Sequence, residues 1–138
     1  MFNILVATLI VEDNKVLLVK EKKNEVKDLL NLPAGHLERN ETLIEAAKRE
    51  VMEETGLKIN IDMLIDTQYF SKTEKDYVSF VFQGSVVKGY KSTNELDYAF
   101  YDIDFIKKNK QILRNDKLIL SAIEKTNKGS KTAIAIIK

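Results

Sequence analysis

The chain has 138 residues, with 22 Lys and Arg against 21 Asp and Glu, one His, one Pro and no Cys, and at about 100–200 residues per domain it is expected to be one domain over 1–138. Its 44% hydrophobic and 31% charged residues exclude disorder of the whole, and a net charge of +1 gives no global reason to bind nucleic acid or an anionic membrane. No Cys and a lone His exclude disulfides, Cys-ligated zinc, thiol nucleophiles and multi-His centres, which leaves carboxylate as the plentiful ligand and a hard, oxygen-liking cation such as Mg²⁺ as the expected metal.

The apolar start, residues 1–10, lacks the basic leader and small-residue cleavage site of a signal peptide, and no apolar run approaches the roughly 18–20 residues of a membrane span. A cytoplasmic protein without a membrane partner is expected. Residues 4–11 and 15–20 are β-rich and separated by Glu12-Asp13-Asn14, a hairpin signal. Residues 21–28 are polar and charged and read as a loop at the mouth of a site. The only Pro, Pro33, stands two residues before Gly35, which is strand-turn chemistry.

Residues 42–55 read as a helix, rich in Glu and Ala, with Asn40 as the expected N-cap and Gly56 as the C-terminal cap. Residues 57–70 and 77–87 return to β character around the polar turn 71–76, and 99–103 is a further short strand. Residues 104–110 and 115–127 read as helices, the second with Leu118, Ile119, Ala122 and Ile123 on one stripe. The apolar tail 132–137 suits a last strand, a dimer contact or packing under the last helix, so the protein is a monomer or a homodimer. These elements predict an α+β fold, one mixed sheet with helices packed on it.

On the first helix Glu50, Glu53 and Glu54 fall within an arc of about 100°. Like charges at that spacing each destabilise a helix by roughly 0.2–0.5 kcal/mol, and a bound divalent cation would offset this. Leu43, Ala47 and Val51 form an adjoining stripe for the sheet, and the small Ala46 leaves room beside the acids. The plainer alternative is a surface ladder of Glu45, Arg49 and Glu53 at i,i+4, with the other acids solvated.

The surroundings of this helix decide between the two. Gly35, Glu41, Arg49-Glu50-Val51, Glu53-Glu54 and Gly56-Leu57 stand at the spacings of G-x5-E-x7-R-E-U-x-E-E-x-G-U, with U aliphatic. The stretch resembles the Nudix box at every fixed position. The resemblance implies an α/β/α sandwich with a mixed sheet and a hydrolase that needs Mg²⁺ or Mn²⁺ and cleaves a nucleoside diphosphate linked to another group. It implies Glu50, Glu53 and Glu54 as metal-binding catalytic carboxylates, with the Ala34 carbonyl as a further ligand. Gly35, Glu41, Arg49 and Gly56 would support the site. Glu95 matches a further metal-reaching carboxylate, with Asp97 as the fallback, and Glu53 is favoured as the general base.

Pro33-Ala34-Gly35-His36-Leu37-Glu38 is similar to the box of small bacterial Nudix phosphatases that act on nucleoside di- and triphosphates and on thiamine or hydroxymethylpyrimidine diphosphate. Ala before Gly35 also occurs in ADP-ribose pyrophosphatases, and a non-catalytic nucleotide sensor on the same fold is the third reading. The Trp often found before this turn is replaced by Leu30. Candidate substrate-binding residues are Arg39 and His36 for phosphate, with Lys20, Lys22 and Lys23 nearby, and Tyr69 and Tyr77 for stacking. Phe80 and Phe82 share a strand face and are expected in the core. The expected partner is a small nucleotide or other diphosphate, with nucleic acid disfavoured by the charge balance.

Overall fold

The computed structural model describes residues 2–128 and 132–133. Strands β1 (Phe2–Glu12) and β2 (Lys15–Lys20) form the first hairpin. Glu12 pairs with Lys15, so the turn is only Asp13-Asn14, with φ of 51° and 61°. A two-residue loop with both residues left-handed has the twist that suits an antiparallel pair, and Asp and Asn tolerate that backbone. Short strands β3 (Leu30–Asn31) and β4 (Ala34–His36) follow, then helix α1 (Leu43–Thr55).

Strand β5 (Ile59–Lys72) is shifted two residues along from the expected 57–70, and β6 (Lys75–Val86) begins two residues before the expected 77. The turn between them shrinks to Thr73-Glu74, again with both residues at positive φ, 54° and 61°. Strand β7 (Tyr98–Asp102), helix α2 (Ile103–Lys108), a 3-10 turn (Lys110–Ile112) and helix α3 (Asp116–Lys128) complete the order, with β8 (Thr132–Ala133) pairing with Met63 and Leu64 of β5. Residues 134–137 of the apolar tail lie outside the described residues.

The sheet runs β3-β2-β1-β6-β5-β8, with β4 on β1 and β7 on β2. β1 and β6 are parallel from Phe2–Asp76 to Ile10–Gly84, whereas β5 and β6 are antiparallel, so the sheet is mixed as expected. On one face α1 buries Ala46, Ala47 and Val51 in clusters with Val6, Ile10, Leu57, Ile59 and Phe82, and Phe80 packs partly buried beside them. On the other, Ile106 of α2 and Ile119, Ala122 and Ile123 of α3 pack with Leu9, Ile65 and Val81. Helices on both faces make an α/β/α sandwich. Val16 to Val19 of β2 are buried on both faces, which explains their unbroken apolar run.

The start of α1 corrects one expectation. Thr42, not Asn40, is the N-cap: its hydroxyl accepts the Glu45 N–H at 3.0 Å, and the Glu45 carboxylate accepts the Thr42 N–H at 2.8 Å. Such a capping box needs a hydroxyl three residues before a Glu, which Asn40 does not have. Asn40 instead takes the left-handed turn before it, at φ 67°.

Under α3 lies a second polar cluster. The Asp66 carboxylate is fully buried and accepts hydrogen bonds from Gln68 (2.8 Å), Ser121 (3.0 Å) and Lys125. Burial pushes its pKa up, but the Lys125 ammonium and the other donors hold it below the usual carboxylate value. No helix among the described residues is long and apolar enough to cross a membrane.

Candidate functional site

The site is built where β4 meets α1. β4 is fixed against β1 by the pairs Ala34–Ala7, Gly35–Val6 and His36–Leu5, and the Thr8 N–H donates to the Pro33 carbonyl at 3.1 Å. α1 lies against this turn so closely that a Cβ on Gly35 would fall 2.2 Å from the carboxyl carbon of Glu50. Only glycine leaves that space. One turn further along α1, Glu54 Oε1 accepts the Ala34 N–H at 3.1 Å.

Arg49 holds the other end of the turn to the helix. Its guanidinium donates to both oxygens of Glu41 (2.5 and 3.1 Å), to Glu50 Oε1 (2.7 Å) and to the His36 carbonyl (3.0 Å). Glu53 is 3.4 Å away and Glu38 3.5 Å. A planar fork with five N–H donors spans two carboxylates and a carbonyl in a geometry that the single ammonium of a Lys does not match. The hydrogen bond from Arg49 is the main reason Glu41 sits below its ordinary pKa, and Glu41 in turn raises Arg49. Arg49 and Glu41 are therefore a brace between loop and helix.

Glu50 and Glu54 are pushed the opposite way. Burial raises Glu50 above its ordinary value even though Arg49 opposes the shift. Glu54 is pushed up to about 8, first by burial and then by the charges of Glu50, Glu21 and Glu95, against one backbone N–H. Glu53 differs from both. Its side chain is 44% exposed, against 13% for Glu50, and it leans toward Arg49. The arc read from the sequence thus splits into a sheltered pair and a rim residue.

The segment 92–97 closes the far end of α1. The N–H groups of Ser92, Glu95 and Leu96 donate to the carbonyls of Gly56, Glu53 and Glu54 at 2.8, 3.0 and 3.0 Å. These are carbonyls that a helix end leaves without internal partners. Gly56 turns left-handed at φ 74°, and a Cβ there would lie 2.3 Å from the Ser92 carbonyl oxygen. Of the two acids named from the sequence, Glu95 is the one whose charge bears on Glu54. Asp97 contributes its backbone, with its carbonyl accepting the Lys20 N–H at 2.9 Å.

The proposed substrate residues are more dispersed. His36 is exposed, with its carbonyl on Arg49, and Arg39 is exposed on the loop before α1. Lys22 Nζ donates to the Glu95 carbonyl at 2.5 Å. The Tyr69 hydroxyl is bonded to Ser71 and Asp76 and its ring meets Phe2 edge-on, while Tyr77 stacks on Phe70 at 5.0 Å. The partners of both rings lie at the β5–β6 hairpin and Phe2. Sequence reasoning missed Glu21 and its ion pair with Arg114. The two are 93 residues apart and no local pattern links them.

Among the described residues no three His, Cys, Asp or Glu side chains converge as a ready-made metal cage. Mg²⁺ does not require one, since it takes one or two protein carboxylates and completes its sphere with water and phosphate oxygens. Glu50 and Glu54, sheltered and mutually repelling, are a donor set that fits a hard divalent cation.

Comparison with known proteins agrees with this geometry. The NUDIX domain profile matches residues 2–120. An ADP-ribose pyrophosphatase of Methanocaldococcus jannaschii is 36% identical over 106 residues, covering 72% of this chain and 62% of its own. Phosphatase NudJ of Escherichia coli is 40% identical over 81 residues, covering 58% and 52%. The chain therefore spans less than two thirds of either relative. Among solved structures, a NUDIX hydrolase from Nitrosomonas europaea matches with a TM-score of 0.88 and 32% identity, covering 100% of this chain and 97% of that one.

Proposed function

The chain belongs to the Nudix family, and from that premise we propose that it is a metal-dependent phosphohydrolase cleaving a phosphoanhydride bond of a nucleoside di- or triphosphate or of a thiamine-type diphosphate. The observation that carries this reading is the sheltered pair Glu50 and Glu54 pressed against the backbone of Ala34 and Gly35. When bound, a divalent cation, Mg²⁺ or Mn²⁺, supplies positive charge to the phosphate oxygens and makes a neighbouring water more acidic. Glu50 and Glu54 would hold it, with the Ala34 carbonyl and Glu95 as further candidate ligands.

The protein's own residues do the rest. Glu53, on the rim with access to solvent, accepts the proton of the attacking water as its oxygen bonds to phosphorus and the bridging P–O bond breaks. Arg49, locked to Glu41, fixes the rotamer of Glu50 and keeps the turn at the helix. The 92–97 segment carries Glu95 to the same end of α1.

A second reading, hydrolysis of ADP-ribose or a nucleotide sugar, is favoured by the longer match to the archaeal ADP-ribose pyrophosphatase. Phosphate and nucleoside monophosphate release, measured with Mg²⁺ and with Mn²⁺ across nucleoside di- and triphosphates, thiamine diphosphate and ADP-ribose, separates the two. Turnover of ADP-ribose above all others would replace the first reading by the second. No metal-dependent turnover of any would sink both and leave a sensor.

A further inference from the structure

A site lined by carboxylates repels the phosphates it has to bind, and a cationic side chain beside it would add to the charge that a bound divalent cation supplies. Of the basic residues that the sequence offered, Lys22 is bonded to the Glu95 carbonyl, and Lys20, Lys23 and Arg39 are exposed. The structure seats a different one beside β3: Arg114. Its N–H donates to the Leu30 carbonyl at 2.9 Å, and Leu113 bridges to the same residue, so its backbone is seated on β3, close upstream of the Pro33-Ala34-Gly35 turn. Its guanidinium forms an ion pair with Glu21.

Glu21 is itself held in place. Its N–H donates to the Leu29 carbonyl (2.9 Å) and its carbonyl accepts the Asp28 N–H (3.0 Å), which ties the neck of the loop 21–29. The side chain is 12% exposed, that of Arg114 36%. The chain neighbours of Glu21, Lys20 and Lys22, are bonded to the segment docked on the end of α1: the Lys20 N–H donates to the Asp97 carbonyl at 2.9 Å and Lys22 Nζ to the Glu95 carbonyl at 2.5 Å, while the Glu95 N–H donates to the Glu53 carbonyl at 3.0 Å. Glu21 thus stands at the acidic end of α1 and pairs with a guanidinium. The recorded pair uses Nη1 of Arg114, and a guanidinium has five N–H donors in a fork that matches phosphate.

We propose that Arg114 is a substrate-binding residue: it rests on Glu21 in the free protein and takes a phosphate oxygen of the diphosphate when substrate enters. This rests on the phosphohydrolase reading above. A partly exposed ion pair is weak and easily exchanged for a more highly charged partner. The pairing with Glu21 therefore holds Arg114 in place without removing it from use.

The test is calorimetric titration of inorganic pyrophosphate, with Mg²⁺ present, into the wild type and the variants Arg114→Met, Arg114→Lys and Glu21→Gln, with thermal midpoints and steady-state kinetics alongside. The expected result is a loss of affinity of about tenfold or more in Arg114→Met, partial rescue in Arg114→Lys, and KM rising more than kcat falls. Glu21→Gln frees the guanidinium and is expected to retain or tighten pyrophosphate binding. Wild-type affinity in Arg114→Met, or equal losses of affinity and of midpoint in Arg114→Met and Glu21→Gln, would overturn the proposal, the second by showing a mere structural brace. A wild type that binds pyrophosphate through Arg114 yet hydrolyses no diphosphate leaves this assignment standing and defeats the proposed function.

Discussion

The molecule buries carboxylates in two places, and it treats them in opposite ways. Under α3, Asp66 is enclosed by Lys125, Gln68 and Ser121 and sits below its ordinary pKa. Under the turn at Gly35, Glu54 has one backbone N–H and three other acids near it, and sits at about 8. Both are held against the same sheet, and burial raises both. What differs is the company: an ammonium and two further donors meet Asp66, whereas the charges that bear on Glu54 are acidic. A satisfied buried acid is part of the fold, whereas an unsatisfied one marks where something else is to bind.

The comparison breaks most visibly at the unsatisfied acids. Glu54→Gln or Glu50→Gln is expected to lower metal-dependent turnover by on the order of 10²–10³-fold or more, with the fold intact by circular dichroism. In Glu54→Gln the metal-free thermal midpoint should stay equal or rise, because a neutral amide removes the repulsion and still accepts the Ala34 N–H. A near-normal rate in either variant would refute the site assignment.

Asp66→Asn tests the other side. An amide there turns one acceptor oxygen into a donor facing Gln68, Ser121 and Lys125, and a loss of about 1–3 kcal/mol is expected, read from urea unfolding. Turnover per folded molecule should be unchanged. A stability equal to that of the wild type would show that the network under α3 contributes nothing.

The smallest effect is the most specific. Glu54 binds its proton more tightly folded than unfolded, so its contribution to stability is full below about pH 4.5, the ordinary Glu value, and is lost as pH rises through about 8. Asp66 has the opposite sign: its contribution is present above its ordinary value of 3.8 and is lost as pH falls further. The metal-free midpoint is therefore expected to decline by a few degrees between pH 5 and 9, roughly, and the decline should shrink in Glu54→Gln, leaving the part that the raised Glu50 contributes. A wild-type midpoint flat across that range would contradict the assigned environment of Glu54.

How far the sequence reached follows from the range of each interaction. Helical spacing is local, so Glu50, Arg49, Glu53 and Glu54 could be set on α1, and Gly56 placed at its end, from the letters alone. The stripe of Leu118, Ile119, Ala122 and Ile123 was equally readable: the last three are buried and Leu118 packs partly buried against the same core. The sorting of the three acids was not, because it depends on which of them faces the Gly35 backbone. Capping was misplaced by two residues because Asn40 and Thr42 are both good caps, and only the Thr42–Glu45 exchange decides between them. The parallel pairing of β1 with β6, the Asp66–Lys125 pair and the Glu21–Arg114 pair join segments that are distant in sequence and leave no periodic trace.

The docking of the 92–97 segment on the end of α1 frees another stretch from any role in placing acids. Val87 is anchored by its N–H on the Lys58 carbonyl at 2.8 Å, and Ser92 by its own on Gly56. Residues 88–91 between these anchors are exposed. Insertions there would lengthen a loop clipped at both ends while Glu95 stayed registered to the helix. Neighbouring surface can thus be rebuilt for a new substrate by changing loop length alone, with the chemical centre left untouched.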